Sequence, residues 1–150
     1  NVITAEHVKT MAPRPVIFAC SNPDPEIDPA LANAARDDLI MGTGRSDYPN
    51  QVNNVICFPF IFRGALDARA SRINSAMKRA AVEAIRSIAK EPVPAEVLHA
   101  AGVSQLTFGV DYVLPKPMDP RLLPRVARAV ALAAVESGVA RIELPENYML

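Results

Sequence analysis

The sequence predicts an α/β layered domain with parallel strands, followed by helices, and three observations predict it. Two short apolar runs, residues 15–20 (PVIFAC) and 39–41 (LIM), sit between turn signals and lack the alternation of a half-exposed strand. Helical patterns separate these runs and dominate everything after residue 70. Each run ends in a polar turn, Ser21-Asn22-Pro23 after the first and Gly42-Thr43-Gly44 after the second. Buried parallel strands read as continuous apolar runs, and open α/β sheets bind ligands beyond the carboxyl ends of their strands.

Taken in order, Thr4 is a good N-cap, with Glu6 and His7 in the first turn of a helix that ends near Ala12 and Pro13. Val8 and Met11 lie three apart and face a core. The first strand follows at 15–20. Pro23 and Pro25 then impose extended backbone on Asn22 and Asp24, which fixes where those side chains point. Residues 29–36 (PALANAAR) read as a short helix with Pro29 in its first turn. The second strand ends at Gly42, where glycine permits a tight turn or close approach of a ligand.

The chain is organised around residues 42–67, GTGRSDYPNQVNNVICFPFIFRGALD. Amides crowd between apolar runs there, the pattern of a ligand-facing loop on a rigid scaffold. Residues 55–62 fit a short strand or a buried helical start, and periodicity does not separate the two. A helix is expected to begin within 64–69. Between 73 and 88, Ile73, Met77, Ala80, Ala81, Ala84, Ile85 and Ile88 make one helical face, and Pro92 and Pro94 end it. Residues 95–101 form a short helix closed by Gly102. After the rigid connector LPKPMDP at 114–120, Asp119 is expected to cap a helix running from Pro120 to Glu136 or Ser137 and ended by Gly138. Its small face, Ala127, Ala131 and Ala134, permits close packing.

The 150 residues are 50% hydrophobic, enough for a sizeable core. Lys plus Arg and Asp plus Glu are both 16, so no basic excess favours nucleic acid or an acidic membrane surface. Aromatics at 5% with no Trp also speak against base stacking. Cys20 and Cys57 sit inside apolar runs and are expected to be buried thiols in a reducing, cytoplasmic compartment. The opening, NVITAEHVKT, has neither an initiator Met nor a basic-then-apolar order, and is expected to belong to a fragment of a longer protein.

Asn22, Asn53 and Asn54 are the ligand candidates. A carboxamide offers two donors and an acceptor without charge, and so orients a hydroxy- or keto-acid. The competing reading is that each caps a turn or bonds the backbone. Arg45 and Asp47 are expected to pair and shape the loop. Asp24 and Glu26 are read as solvated loop acids rather than metal ligands. His7 and His99 lie in helices without a second ligand at metal spacing, and Lys116 is read as an exposed lysine. No Ser-His-Asp set, HExxH, CxxC pair, Walker loop or G-x-G-x-x-G is present.

At these same stretches the sequence resembles the bacterial malic enzymes, which are often NADP-linked. The resemblance rests on RPVIFACSNPDPEI at 14–27, on LIMGTGRSDYPNQVNNVICFPFIFRGALD at 39–67, on INSAMKRAAVEAI at 73–85, and more weakly on VLPKPMDPRL at 113–122. It implies a partial Rossmann-like NAD(P)-binding domain, with its later half at 1–70, C-terminal helices packed on it at 71–139, and a tail or linker at 140–150. It implies oxidative decarboxylation of L-malate to pyruvate and CO2 by a homo-oligomer using NAD or NADP and Mg2+ or Mn2+. By motif, Asn22 matches the asparagine beside malate and the nicotinamide, with Ser21 also cofactor-facing. Asn53 matches the asparagine that binds the malate carboxylate, and Asn54 is its neighbour. The family's catalytic tyrosine and lysine, its acidic metal ligands and its glycine-rich dinucleotide loop match nothing here, so the fragment is expected to be inactive alone. In some bacterial relatives a phosphotransacetylase-like domain follows. The rival reading is a non-catalytic nucleotide-binding or oligomerisation module.

Overall fold

Thr4 opens the first helix as expected: its hydroxyl accepts from the His7 backbone N–H, and the His7 ring accepts from the Thr4 N–H in return. The computed structural model describes residues 2–149. Its elements are α1 (Ala5–Thr10), β1 (Val16–Ala19), α2 (Pro29–Ala35), β2 (Ile40–Thr43), a single 3-10 turn (Asn54–Ile56), α3 (Phe58–Asp67), α4 (Ser75–Lys90), α5 (Ala95–Ala100) and α6 (Leu122–Glu136). The chain divides into two compact units, Asn1–Asn53 with Thr107–Leu114, and Asn54–Leu106 with Pro115–Leu150.

In the first unit, β1 and β2 pair in parallel, with Ile17 opposite Met41 and Ala19 opposite Thr43. Val8, Ile17, Ala19, Ile27, Ala32, Leu39 and Met41 form one core beneath α1 and α2. Each large member stabilises the fold by roughly 1.5–3 kcal/mol on burial. The apolar run of β1 leads to an expectation of burial on both faces, and the structure corrects it. Ile17 and Ala19 point into the core, while Val16 and Phe18 are 57% and 49% exposed. The physical reason is that, among the described residues, the core cluster packs α1, α2 and their flanking loops against the face that carries Ile17 and Ala19.

Asp28 caps α2 by accepting from the Ala30 N–H, one residue before Pro29. Arg36, which the sequence reading passed over, fastens α1 to the end of α2. Its guanidinium donates to the carbonyls of Val8 and Met11 and grips Asp38 with two bonds. The Arg36 guanidinium and the Arg14 backbone N–H hold the Asp38 carboxyl down at about 2.

The second unit is helical. Residues 55–62 resolve as the 3-10 turn and the start of α3, and Gly64 lies inside α3 rather than at its beginning. Pro59 sits in the first turn, where its missing N–H costs nothing. Asn74 caps α4 by accepting from the Met77 N–H, and its amide donates to the Ser137 hydroxyl. Met77, Ala81, Ile85 and Ile88 are buried as the periodicity requires. α6 packs against both α3 and α4 through Val126, Ala127, Val130, Ala131 and Ala134, all fully buried. Small side chains let the helix axes approach closely. Gly102 and Gly138 end α5 and α6 with positive φ, which glycine adopts without strain.

Asp119 does not cap α6, contrary to the sequence expectation. The helix starts at Leu122, and buried Asp119 closes the turn before it, accepting from the Arg121 N–H and guanidinium. The cysteine expectation also changes. Cys20 is exposed, because it stands one residue beyond the end of β1, and Cys57 is half-buried; both are free thiols.

Candidate functional site

The two polar turns emerge side by side, because β1 and β2 are parallel neighbours ending at Ala19 and Thr43. Residues 21–26 form a closed loop. The Ser21 hydroxyl and N–H both donate to the Glu26 carboxylate, and the Glu26 carbonyl accepts from the N–H groups of Val2 and Ile3. The Ser21 bonds hold the Glu26 carboxyl below its usual range. Asn22 stands exposed on this loop ahead of a cis peptide to Pro23. Among the described residues its carboxamide has no hydrogen-bond partner. It lies close to Gly44, so that a Cβ built there would come within 3.5 Å of the Asn22 Oδ1. The structure therefore brings the Asn-Pro turn and the Gly-Thr-Gly turn to one place.

The second loop is held by its own backbone. Gln51 bridges Thr43 in parallel, the Val52 N–H donates to the Thr43 carbonyl at 2.8 Å, and the Gln51 amide donates to the Gly44 carbonyl. Asn53 follows, half-buried, as the last residue of the first unit, and Asn54 is exposed at the start of the 3-10 turn. Arg45 and Asp47 pair through two bonds, 2.9 and 2.7 Å, and the guanidinium lies 5.4 Å from the Tyr48 ring centre. Arg45 holds the Asp47 carboxyl down, and Asp47 raises the Arg45 guanidinium in turn. The pair shapes the loop, and its charge is spent internally.

A cavity of about 400 Å³ opens nearby, lined among others by Ser21, Asp24, Glu26, Asp28, Arg45 and Tyr48, and neither Asn22 nor Asn53 lines it. Sequence reasoning missed Asn50, the buried carboxamide of the loop. It is 4% exposed with a φ of 54, and nothing in the local sequence separates it from the other loop amides.

The malic enzyme NAD-binding domain model matches residues 1–106. The chain belongs to the malic enzymes. The NADP-dependent malic enzyme of Halomonas elongata is 61% identical over 150 residues, covering all of this chain and 36% of that protein. That of Escherichia coli is 58% identical over 93% of this chain and 18% of its own length. The NAD-dependent malic enzyme of Rhizobium meliloti is 53% identical over 93% of this chain and 18% of its own length. Among solved structures, malic enzyme from Pyrococcus horikoshii superposes with a TM-score of 0.81 at 40% identity, over 99% of this chain and 30% of that one. Malic enzyme from Entamoeba histolytica gives 0.81 at 36% identity, over 99% and 28%. The chain thus spans about a third or less of these relatives.

The α/β reading, with a short parallel sheet from a Rossmann-like NAD(P)-binding domain, stands. The matching family model is the NAD-binding domain of malic enzymes, and the relatives carry NADP- and NAD-dependent names. The strand-end loops present an exposed carboxamide at Asn22, a neutral donor and acceptor of the kind that can hydrogen-bond a polar ligand. A divalent metal is different. Among the described residues no three His, Cys, Asp or Glu side chains are grouped to hold one. These residues do not supply its ligand set. Among the described residues, no helix is long and apolar enough to cross a membrane.

Proposed function

We propose that the complete polypeptide carrying this chain oxidatively decarboxylates L-malate to pyruvate and CO2, and that this segment supplies contacts to malate and the nicotinamide dinucleotide. The observation that carries this reading is Asn22, exposed on a closed turn beside Gly44, with its carboxamide unpartnered among the described residues. A turn-capping asparagine would accept from a backbone N–H through its Oδ1, and among the described residues the Asn22 Oδ1 accepts from none.

Oxidation at the malate C2 alcohol gives a β-keto acid, and loss of the carboxylate β to the new ketone leaves pyruvate. Bound NAD or NADP supplies the hydride acceptor. This chain's own residues bind and orient. Asn53 donates to the malate carboxylate without adding charge, and Asn54 is a second, weaker contact. Asn22 aligns substrate against the nicotinamide, which is worth several powers of ten where reacting atoms meet at about 3–3.5 Å. The Ser21 hydroxyl gives its hydrogen to Glu26, so it shapes the turn and faces the cofactor as an acceptor. In this reading 1–70 is the later half of the NAD(P)-binding domain, 71–139 the helices packed on it and 140–150 the tail. The complete polypeptide works in the cytoplasm as a homo-oligomer.

Asn22→Ala in the complete enzyme is expected to raise KM for malate and for the dinucleotide together. Steady-state kinetics with each varied in turn checks this, and a change in thermal stability alone would make Asn22 a turn-capping residue. The proposal as a whole is tested by malate-dependent reduction of NADP and of NAD, with Mn2+ and then with EDTA. Turnover abolished by EDTA is the expected result. No turnover with either dinucleotide, from folded protein, favours the non-catalytic module.

A further inference from the structure

Asn50 is a buried polar anchor of the first unit, and the proposed function does not use it. Its backbone φ is +54, a left-handed conformation that costs most residues about 1–2 kcal/mol and that Asn tolerates better. Its side chain is buried and fully engaged. One amide hydrogen goes to the Met41 carbonyl at 3.0 Å, the other to the Val110 carbonyl at 2.7 Å, and the amide oxygen accepts from the Val113 N–H at 2.8 Å. A carboxamide has two donor hydrogens, and both are used. Asn50 therefore cannot donate to a ligand in this state. It ties three stretches together: β2, the amide loop, and the 107–114 segment some 60 residues downstream.

What lies next to Asn50 gives this knot its meaning. Gln51 and Val52 follow directly and are bolted to Thr43 and Gly44 at the end of β2. Asn53 is the next residue. The backbone from which Asn53 projects is thus set by Asn50 on one side and by β2 along its length. Strain held in place by a redundant set of bonds is how proteins preorganise sites.

We infer that Asn50 is the positioning residue of the malate-contacting loop, and that residues 107–114, which touch no proposed ligand, form part of the site's support. The inference rests on the assignment of Asn53 to malate. It separates two roles for chemically identical side chains in one loop: Asn53 meets the substrate, and Asn50 fixes where Asn53 stands.

The test uses the complete enzyme with Asn50→Asp and Asn50→Gly. The first keeps the size and the acceptor but removes both donors, and the second keeps the left-handed backbone but removes the side chain. In protein shown to be folded, KM for malate is expected to rise about tenfold or more, since small misplacements near the reacting atoms cost up to about 100-fold. KM for the dinucleotide should stay within about two- to threefold. A purely structural role would lower the active fraction and leave KM for malate unchanged, which overturns the inference. Hydrogen exchange on the wild-type enzyme guards against variants that do not fold. Malate binding should slow exchange in 107–114 together with 44–53. Protection confined to 44–53 would also overturn it. If the wild-type enzyme shows no malate turnover at all, the functional reading fails and this inference falls with it. Wild-type turnover with unchanged variants removes Asn50 alone.

Discussion

Asn53→Ala is expected to lower kcat/KM for malate by about 10- to 100-fold in the complete enzyme, with both KM and kcat contributing. A hydrogen bond to a charged group is worth about 1.5–3 kcal/mol, and each 1.4 kcal/mol is a factor of ten. The loss should appear in kcat as well as in KM, because a carboxylate contact orients the C2 hydrogen for transfer. Asn53 is half-buried where the first unit ends, whereas Asn54 is exposed. Asn54→Ala should therefore cost less. Wild-type kinetics in Asn53→Ala would remove it from the site.

The second large effect concerns the helices. Gly64→Ala is expected to destabilise the protein by roughly 1–3 kcal/mol, although alanine is the better helix former by about 1 kcal/mol. A Cβ at Gly64 would collide with the Ala127 carbonyl oxygen and lie 2.8 Å from the Val130 Cβ. Both belong to α6, and the carbonyl is backbone, so neither can yield without moving the helix. Gly109→Ala is the control, since the nearest atom to a Cβ there is the Thr107 carbonyl oxygen at 3.7 Å. Thermal or denaturant unfolding of the pair decides it. Equal stability would mean that α3 and α6 are not held as closely as Gly64 indicates.

Gly64 also marks a boundary of what the sequence could reveal. The sequence leads to an expected helix start within 64–69, and a mid-helix glycine is locally unfavourable. Its reason for being there is a contact with residues more than 60 positions away, which no local pattern carries. α4 was legible for the opposite reason: Met77, Ala81, Ile85 and Ile88 repeat at the helical period. The apolar run of β1 showed a strand but not which face its core would cover, so Val16 and Phe18 came out exposed. Residues 55–62 were ambiguous in sequence because a short apolar run fits either element. The Asn-Pro turn and the amide loop were legible by residue type, and the parallel pairing brings their turns together. Asn50 was not, since only the downstream carbonyl of Val110 and the Val113 N–H distinguish a buried anchor from another loop amide.

The most direct test of the central claim is stoichiometry in the complete enzyme: CO2, pyruvate and reduced dinucleotide measured together from L-malate. The account predicts one of each per malate consumed, with all three falling together in Asn53→Ala. Reduced dinucleotide formed with oxaloacetate and no CO2 would contradict it, because the segment would then serve a simple dehydrogenase rather than a decarboxylating one.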